Sequence, residues 1–323
     1  MNSRRAVIDI GSSAIKFGVY DFSGDKPQLI TEGDPVATSL GKGLQQGGTL
    51  NPKARQASMD ALRRFAAEIE SLGADLTLVC ATEAVRRAAD QQEFLAQVRE
   101  ILGSQPDIRC IQAETEVEWG LLSARSSLTL DESRTRLFID PGGSSNDFAL
   151  TGNFEDEWTS LPFGMNDLLA QVPVSEEKSS LSPDDLAKLR AFLNQRYDDL
   201  LDFLGTRKPD EIVGTSGAAL SLGAVKAKVA RDSRVDRILG AHGILVGLAE
   251  IKEMVSTMAP LNAKERRQAH ACLSPTRSLI FVHGCLIYEV LLARLGRDSF
   301  QINGLGMKLG GLIAQDSPRN APD

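Results

Sequence analysis

The sequence is poor in the residues that most often hold transition metals. It has 4 cysteines and 3 histidines among 323 residues, and no two histidines stand four positions apart, the spacing at which one helix face presents both to zinc. The cysteines lie singly in apolar stretches and form none of the CxxC pairs of zinc or redox sites. We therefore expect buried thiols at Cys80, Cys110, Cys272 and Cys285, and no histidine-ligated metal.

Long uninterrupted apolar runs are also scarce. The apolar segment after the basic N-terminus breaks at Asp9, which leaves it too short for the core of a signal peptide. The best membrane-spanning candidate, 278–295, contains His283, Glu289 and Arg294. These polar groups favour a buried amphipathic helix over a span. We expect a soluble, cytoplasmic protein without a membrane partner.

The chain has fewer positively charged than negatively charged side chains. Lys and Arg number 36 against 43 Asp and Glu, which gives a formal net charge of -7. Such a chain repels a nucleic-acid backbone unless its cations gather in one place, so we expect no nucleic-acid partner. Any anionic ligand must meet a local site. The 42% hydrophobic content and the length suffice for two domains, each with its own core.

Strand-like and helix-like segments alternate along the chain, which is typical of α/β domains. An apolar strand, a Gly/Ser turn and a second strand at 15–22 predict a hairpin near the N-terminus, and the periodic stretch 51–72 predicts a helix. Strands at 137–140, 146–150 and 157–161, a helix over 185–204 and a strand at 211–214 follow. We predict one domain from 1–125 plus about 299–323, and a second from 126–298.

Two turns rich in glycine and serine repeat in register. Residues 9–17 read DIGSSAIKF and residues 140–148 read DPGGSSNDF, so an Asp, a Gly, a Ser and a Phe coincide. Small residues let backbone N–H groups turn toward an anion, and an Asp at a strand end can hold a divalent cation. A third turn, VGTSG at 213–217, precedes a predicted helix N-terminus, which favours anions. The repeat predicts an internal duplication in which each copy contributes a phosphate-binding turn.

The ordered motifs resemble those of the exopolyphosphatase and guanosine pentaphosphate phosphatase family, in the superfamily of actin, sugar kinases and acetate kinase. The three turns are similar to the family's DIGSNSIK, DIGGGSTEL and VGTGG. Four further segments match the family's LGEGL, ATSALR, GEEEA and SLPLG: LGKGL at 40–44, ATEAVR at 81–86, AETE at 113–116 and SLPFG at 160–164. The resemblance implies two actin-like α/β domains with a cleft between them, in a short form without the family's helical hydrolase-like domain. It also implies that the chain can form a homodimer.

Carried over residue by residue, the resemblance makes Glu116 the catalytic base that deprotonates a water, although the charge pattern alone would make it a solvated helix residue. It makes Asp140 and Asp147 the Mg²⁺ ligands and places Arg86 toward phosphate. The phosphate-binding turns comprise Gly11, Ser12, Ser13, Gly142, Gly143, Ser144, Ser145, Gly214, Ser216 and Gly217. The implied reaction releases phosphate from the end of inorganic polyphosphate, from guanosine pentaphosphate, or from both. Such a transfer needs a cation, an Arg, backbone donors and a carboxylate near the water.

The chain also departs from the family pattern. Ser13, Pro141, Ser144 and Ala218 each alter a donor or add a Cβ in the turns, and Asp147 is one methylene shorter than the family's Glu. Ser39 replaces an Arg and Leu279 replaces the Asp of a later Arg-x-Asp motif. We expect altered substrate preference or low efficiency. The alternatives are a catalytically weak polyphosphate or nucleotide sensor and, because 11–17 is also similar to acetate kinase's opening turn, a small-molecule kinase.

Overall fold

Two α/β units make up the chain in the computed structural model, which describes residues 3–45, 47–230 and 234–316. Unit 1 comprises Met1–Ser127 and Gly306–Asp323, and unit 2 comprises Leu128–Leu305. The strand that begins at 299 was predicted with the first domain, but it hydrogen-bonds into the sheet of unit 2. Only the final helix joins unit 1.

Unit 1 is a mixed sheet with helices packed against it. Its elements are β1 (Arg4–Ile10), β2 (Ala14–Asp21), β3 (Gln28–Glu32), β4 (Val36–Ala37), α1 (Pro52–Ser71), β5 (Asp75–Ala81), α2 (Glu83–Arg87), α3 (Gln91–Leu102), β6 (Asp107–Cys110) and α4 (Ala113–Ser127), with the final helix Gly306–Ala314. The strand order is β3-β2-β1-β5-β6. The hairpin strands β1 and β2 are antiparallel, whereas β5 and β6 follow parallel to β1. The Gly/Ser turn of the hairpin therefore lies at the same sheet edge as the ends of β5 and β6.

Helix α1 shows why the sequence folds this way locally. Asn51 accepts the backbone N–H groups of Lys53 and Ala54, so the side chain satisfies donors that a helix start leaves free. Apolar residues at helical spacing, including Leu62 and Phe65, are buried against the sheet. The Phe65 ring lies 4.8 Å from that of Phe17 on β2. The helix prediction for 51–72 is confirmed.

Unit 2 repeats this plan. Its elements are β7 (Arg136–Pro141), β8 (Asn146–Gly152), β9 (Phe154–Leu161), α5 (Met165–Gln171), α6 (Pro183–Arg196), α7 (Asp198–Leu204), β10 (Glu211–Gly214), α8 (Ser216–Lys226), α9 (Arg234–Ala241), β11 (Leu245–Gly247), α10 (Leu248–Met258), α11 (Ala263–Ala269), α12 (Pro275–Leu295) and β12 (Ser299–Ile302), and the final helix of unit 1 is α13. The strand order is β11-β12-β10-β7-β8-β9. The path β9-β8-β7-β10-β12 matches β3-β2-β1-β5-β6 in order and direction. The predicted duplication is confirmed, and the fold is two actin-like α/β units.

Helix α12 is the central helix of unit 2. It is long and apolar enough to cross a membrane by length and composition, but 72% of its most apolar window is buried inside the protein. Ser274 caps its start, and Gly296 ends it in the left-handed conformation at φ +62°. The prediction that 278–295 forms a buried helix is confirmed.

Candidate active site

The two repeated turns have the same hydrogen bond in the same place. The Gly11 N–H donates to the Ala14 carbonyl at 3.1 Å, and the Gly142 N–H donates to the Ser145 carbonyl at 2.8 Å. A Cβ on either glycine would lie 3.0 Å from the accepting oxygen. Both turns therefore leave little room for a side chain at this position, which favours the glycine that the sequence repeats.

A second glycine motif supports each turn from outside. In unit 1 the N–H of Gly41, from LGKGL, donates to the Ser12 carbonyl at 2.8 Å. In unit 2 a Cβ on Gly164, from SLPFG, would lie 2.6 Å from the Gly143 carbonyl oxygen. The next residue, Met165, donates its N–H to the Gly142 carbonyl at 3.0 Å. The LGKGL and SLPFG motifs hold the two repeated turns in shape.

The strands that flank the turns carry a pair of opposite charges in unit 1 and a pair of like charges in unit 2. Asp9 faces Lys16 across β1 and β2, and the Lys16 Nζ lies 3.9 Å from the Asp9 Oδ2. At the equivalent position of unit 2, Asp140 faces Asp147 across β7 and β8. Residues directly opposite on antiparallel strands share one face of the sheet. The structure thus brings together the two predicted metal ligands, with no lysine at the position equivalent to Lys16.

Two hydroxyl groups fix the orientation of the Asp147 carboxylate. Ser160 on β9 donates to its Oδ1 at 2.5 Å, and Ser145 donates to its Oδ2 at 3.2 Å. The described residues contain no group of three or more His, Cys, Asp or Glu suited to a metal. Mg²⁺ commonly takes only one or two carboxylates and completes its shell with water and phosphate oxygens. The Asp140–Asp147 pair fits that ligand requirement.

The predicted catalytic base is held by the predicted phosphate-facing arginine. Glu116 lies in the first turn of α4, and its Oε1 lies 3.0 Å from the Arg86 Nη1. The same nitrogen donates to the Ile111 carbonyl at 2.5 Å. The side chains remain 26% and 21% exposed, so both can reach a ligand. Glu114 and Glu118 are more exposed than Glu116, so Glu116 differs from its acidic neighbours.

The third turn follows β10 and is fixed by three hydrogen bonds. The Thr215 N–H donates to Ile139, its hydroxyl donates to the Asn303 carbonyl, and the Asn303 N–H returns to the Gly214 carbonyl, all within 3.0 Å. Ser216 has φ +88°, a left-handed conformation that is uncommon for a residue with a side chain. A Cβ on Gly217 would lie 2.0 Å from the Arg277 Nη2. This turn is therefore tightly enclosed.

Arg277 is a candidate that the sequence analysis left without a role. Its guanidinium lies against Gly217, and burial, followed by the charge of Arg234, lowers its pKa from the ordinary value. The family's Arg-x-Asp motif could have identified Arg277 as a site residue. In this chain Leu279 replaces the Asp of that motif, so the motif is incomplete.

The predicted site residues are divided between the units. Unit 1 contains Gly11, Ser12, Ser13, Arg86 and Glu116, and unit 2 contains Asp140, Asp147, Gly142, Gly143, Ser144, Ser145, Gly214, Ser216 and Gly217. Within unit 1 the structure joins Glu116 to Arg86. Within unit 2 it joins β7 to β10, so the second and third turns follow neighbouring parallel strands.

Comparison with known proteins shows the family and the fold of the chain. A model of the Ppx/GppA phosphatase family matches residues 19–318. The crystal structure of the type II variant of the Aquifex aeolicus Ppx/GppA phosphatase is 22% identical with a TM-score of 0.80, covering 97% of this chain and 99% of that one. An exopolyphosphatase from Cytophaga hutchinsonii is 21% identical with a TM-score of 0.77, covering 97% of each chain. These structures share the fold, and the extent of the family match shows that the chain belongs to the Ppx/GppA phosphatase family.

Proposed function

We propose that this phosphatase-family chain hydrolyses the terminal phosphoanhydride of inorganic polyphosphate, guanosine pentaphosphate, or both, with Mg²⁺ and a water activated by Glu116. The observation that carries the proposal is the Glu116 carboxylate, held by Arg86 at 3.0 Å yet partly open to solvent. A carboxylate of this kind can accept a proton, and its neighbouring guanidinium can bind a phosphoryl oxygen.

In the proposed reaction, the water oxygen bonds to the terminal phosphorus while the bond from phosphorus to the bridging oxygen breaks. Glu116 accepts the water proton, and the shortened polyphosphate or nucleotide leaves with the bridging oxygen. Arg86 and the N–H groups of the glycine-rich turns bind the non-bridging oxygens, whose charge must be stabilised in a loose transition state. Family membership and the paired turns support this sequence of steps.

Asp140 and Asp147 are proposed to hold the cation. A bound Mg²⁺ would neutralise phosphate charge, and Ser145 and Ser160 would keep the Asp147 carboxylate oriented. Asp147 reaches less far than the family's Glu, so we propose that it acts through a metal-bound water. Asp140→Asn should weaken the Mg²⁺ dependence of phosphate release. An unchanged Mg²⁺ dependence would mean that Asp140 only supports the turn.

The sensor alternative has one observation in its favour. Pro141 stands between Asp140 and Gly142 and has no N–H to offer a phosphate. A chain with a weakened second turn could bind polyphosphate without rapid turnover. The kinase alternative has no comparable support in the site. A phosphatase releases phosphate from polyphosphate or guanosine pentaphosphate without a second substrate, whereas a kinase forms ADP in the presence of acetate. A sensor binds its ligand and forms neither product.

The test of the mechanism is Glu116→Gln. The amide keeps the size of the side chain but cannot take the proton, so kcat should fall by about 10²- to 10⁴-fold. Because positioning contributes much of the rate in phosphoryl transfer, the lower part of that range is expected, with little change in KM.

Glu114→Gln and Glu118→Gln are the matched controls. They carry the same chemical change on the same helix at exposed positions. They should retain nearly full kcat. Equal losses in all three variants would assign the effect to a general acidic patch and contradict the role of Glu116.

A further inference from the structure

The third turn contains a strained residue that its counterpart in unit 1 lacks. Thr82 and Thr215 are equivalent: their N–H groups donate to Ile10 and Ile139, at 3.2 and 2.9 Å, and their φ values are -117° and -116°. The next residue is Glu83 in unit 1 and Ser216 in unit 2. Of these two, only Ser216 has a positive φ, at +88°. A conformation of this kind costs energy and persists only where surrounding contacts hold it.

The contacts that hold it come from Tyr288 on α12. The Tyr288 hydroxyl donates to the Thr215 carbonyl at 2.8 Å, so it acts on the peptide bond that precedes Ser216. The Ser216 hydroxyl accepts the Ala218 N–H at 3.2 Å. The phenol oxygen therefore restrains the backbone at the strained position, while the Ser216 side chain bonds within the turn.

The Tyr288 ring is itself rigidly placed. It is fully buried and stacks on Phe300 with the ring centroids 4.1 Å apart and the planes 8° apart. A Cβ on Gly214 would lie 2.7 Å from the Tyr288 ring, so the turn rests directly on it. Burial, reinforced by the charge of Asp140, raises the pKa of the phenol well above its ordinary value. The phenol stays protonated at any working pH and remains a donor.

From these contacts we infer that Tyr288 is a positioning residue for substrate binding: it holds the Gly214–Gly217 turn in the strained shape that presents its backbone to phosphate. The inference rests on the proposed function. Tyr288 does not touch the reacting atoms, and it acts through the Thr215 carbonyl, which belongs to the peptide bond that precedes Ser216. The turn is strained at Ser216 because a serine occupies a position where the family motif VGTGG has glycine, for which a positive φ costs little.

The test is a double-mutant cycle with Tyr288→Phe and Ser216→Gly. Tyr288→Phe keeps the ring and its stacking but releases the turn, so KM for polyphosphate should rise about 3- to 10-fold, the factor expected for one lost hydrogen bond. The kcat should change less than KM. In the Ser216→Gly background the strain is absent, so adding Tyr288→Phe should raise KM by less than about 2-fold.

Tyr197→Phe is the matched control. Tyr197 is also fully buried in unit 2. Its hydroxyl donates to the carbonyl of Ile287, the residue before Tyr288 on α12, at 3.1 Å. Its loss should lower thermal stability to a degree similar to Tyr288→Phe without raising KM. Equal increases of KM in Tyr288→Phe and Tyr197→Phe would overturn the inference. So would a Tyr288→Phe effect on KM that is equally large in the unmodified protein and in the Ser216→Gly background.

Amide hydrogen exchange keeps this test separate from the proposed activity. In Tyr288→Phe, the amides of 215–219 should exchange faster than in the unmodified protein, and Ser216→Gly should restore slower exchange. Tyr197→Phe should leave this segment unchanged. If the protein releases no phosphate but shows this pattern, the proposed function fails while the positioning of the turn stands. No acceleration of exchange in Tyr288→Phe would overturn the positioning itself.

Discussion

At the scale of the residue, His283 shows how one buried side chain can determine a pH response. It lies on α12 with 1% exposure, and its Nε2 is 3.1 Å from the Val172 carbonyl oxygen. Its Nδ1 has no hydrogen-bond partner within the part of the chain that the structure describes. Burial lowers the pKa of the imidazole from 6.5 to about 4, with Arg266 adding to the effect. The folded protein therefore holds a neutral imidazole whose Nε2–H donates to Val172.

This shift predicts that unit 2 loses stability in mild acid. The folded-state pKa lies below the unfolded value, so the full contribution is present above pH 6.5 and is lost as the pH falls toward about 4. The free energy of unfolding should be lower at pH 5 than at pH 8 by about 2 kcal/mol from this group. Urea unfolding of unmodified protein and of His283→Gln, which keeps a donor without titrating, measures the difference.

His270→Gln is the control for this prediction. His270 is less buried, and burial lowers its pKa in the same direction. It should remove less of the pH dependence than His283→Gln does. An identical pH dependence in unmodified protein and His283→Gln would show that His283 does not control it.

The turns of the candidate site could be predicted at this scale, because tight turns between strands leave glycines and hydroxyl residues at fixed positions. The Asp140–Asp147 pair was implied by the family resemblance, and the structure places the two residues opposite each other in the hairpin. The pairing of Glu116 with Arg86 did not follow, because their contact depends on how α2 and α4 end up against each other. The strain at Ser216 was likewise invisible, since a sequence contains no φ angles.

At the scale of the element, the close approach of α4 and α13 depends on glycine. A Cβ on Gly310 would lie 1.7 Å from the backbone oxygen of Trp119, and one on Gly311 would lie 2.7 Å from side-chain atoms of Leu78 and Trp119. Backbone cannot move out of the way without moving a helix, whereas side chains can change rotamer. The two adjacent glycines therefore face obstacles of different rigidity.

Gly310→Ala should consequently cost more stability than Gly311→Ala. We expect a loss of about 3 kcal/mol or more for Gly310→Ala, at the upper end for overpacked sites, and about 1 to 2 kcal/mol for Gly311→Ala. Both variants gain the same helix propensity, so the difference isolates the clash. Chemical denaturation of the two proteins measures it. Equal losses, or the reverse order, would show that α13 shifts freely against α4.

Elements were predicted well where their pattern was local and poorly where a tertiary contact decided it. The helix predicted over 185–204 is two helices that meet at Tyr197, whose φ and ψ of -82° and -1° interrupt the regular helix. Tyr197 is fully buried and bonds to Ile287, a partner 90 positions away. The strands β3 and β11 were not predicted, because their own sequences show no clear period-2 pattern. Strand β3 forms by pairing with β2, and β11 forms by pairing with β12.

At the scale of the whole molecule, the chain leaves unit 1 after Ser127 and returns to it at Gly306. The returning helix α13 carries Lys308, whose Nζ lies 2.6 Å from the Glu32 Oε1 on β3. Their side chains are 11% and 2% exposed, so this ion pair is buried. The last described helix is thereby fixed to one of the first strands of the same unit. Removal of one charge would deprive the other of this ion pair in the interior.

Lys308→Met should therefore destabilise unit 1 by about 3 to 5 kcal/mol, the cost of leaving a buried carboxylate without its partner. The matched control is Lys226→Met in unit 2, which breaks a pair of the same 2.6 Å separation whose side chains are 33% and 41% exposed. That exposed pair should contribute less than about 1 kcal/mol. Hydrogen exchange resolved by segment measures each unit separately, and the double variant Glu32→Gln with Lys308→Met should recover part of the loss. Protection that falls equally in both units for Lys308→Met would contradict the prediction that the loss of stability is confined to unit 1.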